Sequence, residues 1–139
     1  MTNKELKYHI AYLKIAQEWS TLSCCSRKKV GAIIVKDGMI ISDGFNGTPT
    51  GFPNHCEDPD GNTYWYVLHA EANAILKVAR SSQSTENSTL YITYSPCKEC
   101  SKLIIQSGIK RIIYAEEYRD ISGLKILREC GIEVIKLSI

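Results

Sequence analysis

Two short motifs limit how this chain of 139 residues can fold. One is a His-Ala-Glu motif that begins at His69, and the other is a Pro-Cys-Lys-Glu-Cys motif that contains Cys97 and Cys100. Zinc binds Cys and His ligands in a tetrahedron, and a catalytic zinc site keeps one position open for water. His69, Cys97 and Cys100 fill three positions and leave Glu71 free to move protons. Any fold of this chain must therefore bring the two motifs to one point.

The spacing within the second motif favours metal binding. Cys97 and Cys100 are three positions apart, so on a helix both sulfurs project from one face. Pro96 is typical of a first helical turn and Ser95 of an N-cap. The N–H groups and dipole at a helix N-terminus favour the thiolate, which is the form that binds metal. His69 likewise precedes an apolar run, so we expect both motifs at helix N-termini.

Other interpretations of the cysteine pair stay open. A lone Cys-x-x-Cys motif also suits a redox dithiol, a disulfide or half of a structural zinc site. A structural site has no use for Glu71, and the joint His-x-Glu and Pro-Cys-x-x-Cys signature is typical of zinc-dependent nucleobase deaminases. A structural site would also need a fourth ligand, for which the candidates are Cys24, Cys25, His55 and Cys56.

Composition and charge exclude several functional classes. The length and an apolar content of 44% predict one globular domain over residues 1–139. A formal charge of +2, with one basic cluster at Arg27-Lys28-Lys29, gives no reason to expect a nucleic-acid partner. No apolar signal core or spanning stretch is present, so we expect a cytoplasmic protein without a membrane partner. In that compartment the six cysteines are expected to be thiols and metal ligands.

Hydrophobic periodicity predicts alternating helices and strands. The order is α-β-β-α-β-α-β-α-β, which indicates an α/β fold, a three-layer α/β/α sandwich with a five-stranded mixed sheet. The first two strands are joined by a short turn and must be antiparallel, whereas helical crossovers make the last three parallel. The predicted elements are a first helix to about Leu22, strands at Val30–Val35 and Met39–Phe45, a helix at His69–Arg80, a strand at Thr89–Tyr94, a helix ending near Ser107, a strand at Lys110–Glu116, a helix at Arg119–Cys130 and a strand at Ile132–Leu137.

Further segments give a more specific resemblance. The sequence Gly44-Phe45-Asn46-Gly47-Thr48-Pro49 and Asn73 accompany the zinc motifs, and so does the segment from Cys25 to Ala32. On these residues, and over nearly its whole length, the chain resembles the deoxycytidylate (dCMP) deaminases, a branch of the cytidine deaminase-like zinc enzymes. The resemblance implies hydrolysis of dCMP to dUMP and ammonia with Zn²⁺ as cofactor. It also implies that Glu71 is the catalytic proton carrier.

Substrate contacts follow from the same resemblance. Asn46 resembles the residue that contacts the sugar and base, and Ala70 lies inside the zinc motif. Arg27 is a candidate for the 5′-phosphate because its guanidinium can bind phosphate bidentately. Tyr118 matches a family tyrosine near the nucleotide phosphate. These four residues are the expected substrate-binding set.

The resemblance also implies assembly and regulation. We expect a homo-oligomer, with a hexamer as the expected size, and the aromatic segment Tyr64-Trp65-Tyr66 is a candidate interface. Some family members respond to dCTP and dTTP, and the Gly44 to Pro49 segment resembles the region involved. Some members bind a second zinc, but here we expect one per chain, with Cys24 and Cys56 as thiols.

Alternative functions are another nucleobase deaminase, acting on tRNA adenosine, guanine, cytosine or cytidine, or a catalytically silent zinc scaffold. The near-neutral charge disfavours the tRNA enzyme. The presence of Glu71 disfavours the silent scaffold.

Overall fold

A computed structural model describes residues 1–139 as four helices and five strands. None of the helices combines the length and the apolar character needed to cross a bilayer. The elements in chain order are α1 (Asn3–Ser20), β1 (Gly31–Lys36), β2 (Met39–Phe45), α2 (Ala70–Ala79), β3 (Thr89–Tyr94), α3 (Lys98–Gln106), β4 (Arg111–Glu116), α4 (Ser122–Glu129) and β5 (Glu133–Lys136).

The five strands form one mixed sheet in the order β2-β1-β3-β4-β5. Strand β1 pairs antiparallel with both β2 and β3, while β3–β4 and β4–β5 are parallel. Each parallel pair consists of two strands that follow one another in the chain with a single helix between them, as a crossover requires. The predicted element order and strand directions are therefore confirmed.

Helices cover both faces of the sheet. On one face α1 packs Leu13 and Ala16 against Ile33, Tyr91 and Ile113 of the sheet. The opposite face carries α2, α3 and α4, whose buried residues form the larger core with the inward side chains of β1, β3 and β4. This arrangement confirms the predicted three-layer α/β/α sandwich.

The helix boundaries differ from the predicted ones by a few residues. Helix α4 begins at Ser122 instead of Arg119, because the Asp120 carboxylate accepts a hydrogen bond from the Ser122 N–H at 2.9 Å. An aspartate that bonds the backbone two residues ahead favours a turn over continued helix. The residues between β4 and α4 are thus free to form a loop beside the C-terminal end of β3.

Helix α2 lies unusually close to strand β2 at Gly44. A Cβ atom at this position would lie 2.5 Å from the Ala70 carbonyl oxygen and 2.7 Å from the Ala74 nitrogen. Two hydrogen bonds hold the same contact: Ser42 Oγ donates to the Ala74 carbonyl at 2.7 Å, and Asn73 Nδ2 donates to the Phe45 carbonyl at 2.9 Å. The first turn of α2 is therefore fixed against the sheet.

Replacing Gly44 by Ala should lower the free energy of unfolding by about 1–3 kcal/mol, because the added methyl group must displace the α2 backbone. The matched control is Gly47→Ala, where an added Cβ meets nothing within 4 Å and the φ angle is not positive. That control should stay within about 1 kcal/mol of the unsubstituted protein. Urea unfolding of both variants measures the difference, and equal stability of the two would contradict the close contact.

Candidate active site

The first side of the site is the N-terminus of α2. His69 is the N-cap residue with extended backbone angles (φ −76°, ψ 158°), and Glu71 lies in the first turn. Leu68 and Gly47 exchange two backbone hydrogen bonds of 2.8 and 3.0 Å, which fix the chain just before His69. At a first turn the side chains of residues two apart lean toward the same end of the helix. His69 and Glu71 both line one cavity as a result.

The second side is the N-terminus of α3, directly after β3. Here the prediction of Ser95 as N-cap is wrong: the N-cap is Cys97, and the helix begins at Lys98. The Ser95 hydroxyl instead accepts a hydrogen bond from the Tyr118 N–H at 2.7 Å. Cys97 thus caps the helix, and Cys100, 4% exposed, lies in its first turn.

The three predicted metal ligands converge between these two helix ends. His69 Nδ1 lies 3.2 Å from Cys100 Sγ and 3.6 Å from Cys97 Sγ. Zinc bonds of about 2.1 Å to nitrogen and about 2.3 Å to sulfur, at a tetrahedral angle, place such atoms about 3.6 Å apart. The donor set and its spacing therefore fit a zinc ion, with a fourth position left for a non-protein ligand.

The environment of the thiols favours a thiolate. Hydrogen bonds from Cys100 and from His69 lower the pKa of Cys97 to about 4. The pKa of Cys100 is raised because it is the donor to Cys97 and because it is buried. One thiolate is thus already stabilised by the protein, and a metal ion would stabilise the second, since coordinated thiols are deprotonated.

Glu71 lies beside this cluster but is not one of its three members. Its side chain is 3% exposed, and burial raises the pKa of its carboxyl group. Proton transfer is most efficient when the pKa of the group approaches the working pH. The position and environment of Glu71 therefore suit a proton carrier more than a ligand.

A cavity of about 340 Å³ opens over these groups. The structure brings the other predicted site residues to it as well, since Arg27, Asn46, Ala70 and Tyr118 all line its wall. Cys100 is buried and does not itself line the cavity. The remaining lining residues are Cys25, Lys28, Val30, Glu57, Thr63, Val67, Tyr94, Ser95 and Arg119, together with His69, Glu71 and Cys97.

Asn46 has a structural contact that the sequence did not reveal. Its Nδ2 donates to the Lys28 carbonyl at 2.8 Å, and its Oδ1 accepts from the Val30 N–H at 2.9 Å. The amide therefore holds the chain just before β1 against the end of β2. Lys28 and Val30 both line the cavity as a result.

Lys28 is a cavity residue that the sequence argument missed. Its ammonium lies 4.2 Å from the ring centroid of Tyr94 and 4.7 Å from that of Tyr118. The available signal was the Arg27-Lys28-Lys29 cluster, but consecutive lysines do not reveal which one faces a cavity. Tyr94 gave no signal, because a tyrosine at a strand end is ordinary.

The expectation that all cysteines outside the zinc motif are thiols is wrong for one pair. Cys25 and Cys56 form a disulfide with their Cα atoms 5.1 Å apart, within the usual range. Cys24 remains a free, exposed thiol whose sulfur lies 3.7 Å from that of Cys56. The expectation came from the compartment, which does not say which distant cysteines the fold brings together.

Comparisons with known proteins agree with the geometry. The model of the cytidine and deoxycytidylate deaminase zinc-binding region matches residues 6–116. Deoxycytidylate deaminase of Enterobacteria phage T4 is 39% identical over 92% of this chain and 86% of its own. The Saccharomyces cerevisiae deoxycytidylate deaminase is 35% identical over 91% of this chain and 44% of its own. The crystal structure of dCMP deaminase from cyanophage S-TIM5 in complex with dCMP and dUMP is 48% identical, with a TM-score of 0.92 and 99% coverage of both chains.

The donor cluster predicts a defined metal content. The protein as purified should contain about one zinc per chain, and Cys100→Ala should lose most of it because a site with two ligands binds far more weakly. The matched control is Cys130→Ala, since Cys130 is a free exposed thiol outside the cluster. Elemental analysis after gel filtration measures this, and a Cys100→Ala protein with full zinc content would contradict the assignment.

Proposed function

Because the chain belongs to the cytidine and deoxycytidylate deaminase zinc-binding family, we infer that it hydrolyses dCMP to dUMP and ammonia. The observation that carries this proposal is one cavity lined by both a zinc-type donor set with a buried carboxyl group and a group of cationic side chains. The first part suits deamination of a cytosine ring. The second part suits the phosphate of a nucleotide.

His69, Cys97 and Cys100 are the proposed ligands of the zinc ion. A bound Zn²⁺ supplies a Lewis acid that makes a water molecule nucleophilic at neutral pH. Cys97 and His69 occupy the N-cap positions of their helices. The backbone before Cys97 is anchored by β3, and the backbone before His69 by the Gly47–Leu68 bridge. The protein thereby holds the coordinating side chains in place before the metal ion binds.

Glu71 is the proposed proton carrier. Its carboxylate accepts a proton from the attacking water, whose oxygen forms a bond to C4 of the cytosine. Glu71 then delivers this proton to N3 of the ring. It next accepts the proton of the new C4 hydroxyl and passes it to the amino group, so that the C4–N bond breaks with ammonia as the leaving group and C4 becomes the carbonyl of dUMP. Burial supports this role because it raises the pKa of the carboxyl group, and proton transfer becomes more efficient as that pKa approaches the working pH.

The nucleotide end of the substrate is proposed to lie against the cationic part of the wall. Arg27 and Tyr118, the two predicted phosphate contacts, line the cavity together with Arg119. Guanidinium groups bind phosphate bidentately with charge-assisted hydrogen bonds. A free-base or nucleoside deaminase would have no use for these cations, and a tRNA deaminase would need a broader positive surface than a net charge of +2 suggests.

Assembly into a homo-oligomer, with a hexamer as the expected size, belongs to the same proposal. It is supported by Trp65, which is 90% exposed and stands edge-on to Tyr66, itself in contact with Phe52. Exposed aromatic side chains are enriched at interface hot spots. We also propose regulation by dCTP and dTTP. This part of the proposal is based only on the resemblance of the Gly44 to Pro49 segment to the region involved in other family members.

The nucleotide assignment predicts a preference between two substrates with the same reacting ring. A charge-assisted contact to phosphate contributes about 1.5–3 kcal/mol, so two contacts favour dCMP over deoxycytidine by at least about 10²-fold in kcat/KM. Arg27→Ala should shrink this preference mainly by lowering the rate with dCMP. The control is Arg128→Ala, an exposed arginine outside the cavity. The rates are measured by ammonia release. Equal kcat/KM values for dCMP and deoxycytidine would refute the assignment.

The proposed assembly is tested by light scattering at micromolar concentration. The protein should elute with a mass several times its 15.6 kDa chain mass, and Trp65→Ala should shift the equilibrium toward smaller species. The control is Leu103→Ala, which removes another exposed apolar side chain away from the aromatic segment. A monomeric mass for the unsubstituted protein would reject the oligomer.

A further inference from the structure

We propose that Lys28, whose ammonium lies against the rings of Tyr94 and Tyr118, is a further residue that selects nucleotides over nucleosides by binding the 5′-phosphate. This inference rests on the proposed function and assigns a role to a residue that neither motif contains.

The position of the Lys28 ammonium is the first argument. It lies over two aromatic rings, at 4.2 Å from Tyr94 and 4.7 Å from Tyr118, and all three residues line the cavity. An ammonium within about 6 Å of a ring centroid is attracted by the negative face of the ring. Lysine normally loses much rotamer freedom when it binds a ligand. Here the two rings impose much of that restriction beforehand, which favours binding.

The backbone of Lys28 is also fixed. Asn46 bonds the Lys28 carbonyl with its Nδ2 and the Val30 N–H with its Oδ1, one residue on either side of Lys29. Asn46 is 9% exposed and follows β2 directly. The lysine therefore extends from a rigid strap, which gives its ammonium a defined position.

The two rings are held by the ends of β3 and β4. Tyr94 pairs with Glu116 across these strands, and the Glu116 carboxylate raises the pKa of the Tyr94 phenol. The Tyr118 N–H donates to the Ser95 hydroxyl at 2.7 Å. Tyr94 thus ends β3, and the backbone of Tyr118 is fixed beside the segment that leads to Cys97, the N-cap of α3. This ties the position of the ammonium to that of the zinc ligands.

The ammonium has no acidic partner within the protein. The ion pairs of the structure are Lys77–Asp43, Lys102–Glu99 and Lys136–Glu117, and Lys28 belongs to none of them. Glu57 is the other acidic group on the cavity wall besides Glu71, and its carboxylate accepts hydrogen bonds from the Ser26 and Arg27 N–H groups. A half-buried cation without a counter-ion, facing a cavity, favours an anionic ligand.

Lys28 differs from its basic neighbours in burial and in the cavity that it lines. Arg27 and Arg119 are exposed at the cavity, whereas Lys28 is partly buried. Lys29 is exposed and lines a different cavity, on the α1 side of the sheet, with Gln17 and Ser138. The adjacent lysines therefore carry the same charge on opposite sides of the sheet end. Lys29 is the matched control.

The test compares Lys28→Met, Lys28→Arg and Lys29→Met in the zinc-loaded full-length protein. The ratio of kcat/KM for dCMP to that for deoxycytidine should fall about 10- to 100-fold in Lys28→Met, the equivalent of one charge-assisted phosphate contact. Lys28→Arg should recover part of the ratio, and Lys29→Met should keep it. Competitive inhibition by inorganic phosphate should weaken in Lys28→Met and stay unchanged in Lys29→Met.

Several outcomes would overturn the inference. An unchanged ratio in Lys28→Met would do so, and so would an equal fall in Lys28→Met and Lys29→Met, which would indicate only a general charge effect. If Lys28→Met fails to fold, Tyr94→Leu removes one ring and should also lower the ratio, and an unchanged ratio there would reject the role. Failure of the proposed function is distinguishable, because then the unsubstituted protein itself would not prefer dCMP to deoxycytidine.

Discussion

Three ligand atoms from two separate helices must lie within a few ångströms of one another, and the rest of the structure follows from that constraint. His69 caps α2 and Cys97 caps α3, so the two helix N-termini have to meet at the same end of the sheet. The close contact of α2 with Gly44 fixes the N-terminus of α2, and the direct β3–α3 connection fixes the N-terminus of α3. Between them the fold leaves a cavity whose wall contains both reactive and cationic groups.

The same arrangement explains the electrostatics of the site. Helix N-termini favour negative charge, and this site places thiols and a carboxyl group there. Burial opposes charge on Glu71 and raises its pKa, whereas hydrogen bonds from Cys100 and His69 lower the pKa of Cys97. The pKa values of two neighbouring groups are therefore shifted in opposite directions. The Cys97 thiol becomes suited to binding metal, and the Glu71 carboxyl group becomes suited to exchanging protons.

Most of the fold and the reactive part of the site could be predicted from the sequence. Strands β2 and β3 match their predicted bounds, because apolar runs flanked by turn residues define buried strands locally. The cluster of His69, Cys97 and Cys100, with Glu71 beside it, could be predicted because a zinc site requires those residue types at that spacing. To predict that the two motifs come together, it was enough to place each of them at the N-terminus of a helix.

The features that the sequence did not predict depend on contacts between distant segments. Ser95 looks like an N-cap until the loop after β4 supplies the Tyr118 N–H as a competing partner. The Cys25–Cys56 disulfide joins residues 31 positions apart, and no local pattern indicates that pairing. Lys28 differs from Lys29 because its ammonium lies against the rings of Tyr94 and Tyr118. The local sequence does not show this contact.

The most direct test of the central claim, that the metal ligands and the proton carrier are separate groups, is the turnover of dCMP by zinc-loaded Glu71→Gln. We expect kcat to fall by about 10²–10⁴-fold while the zinc content stays at that of the unsubstituted protein, because the amide cannot accept the proton and Glu71 is not a ligand. Near-normal turnover, or loss of the zinc from the variant, would contradict it.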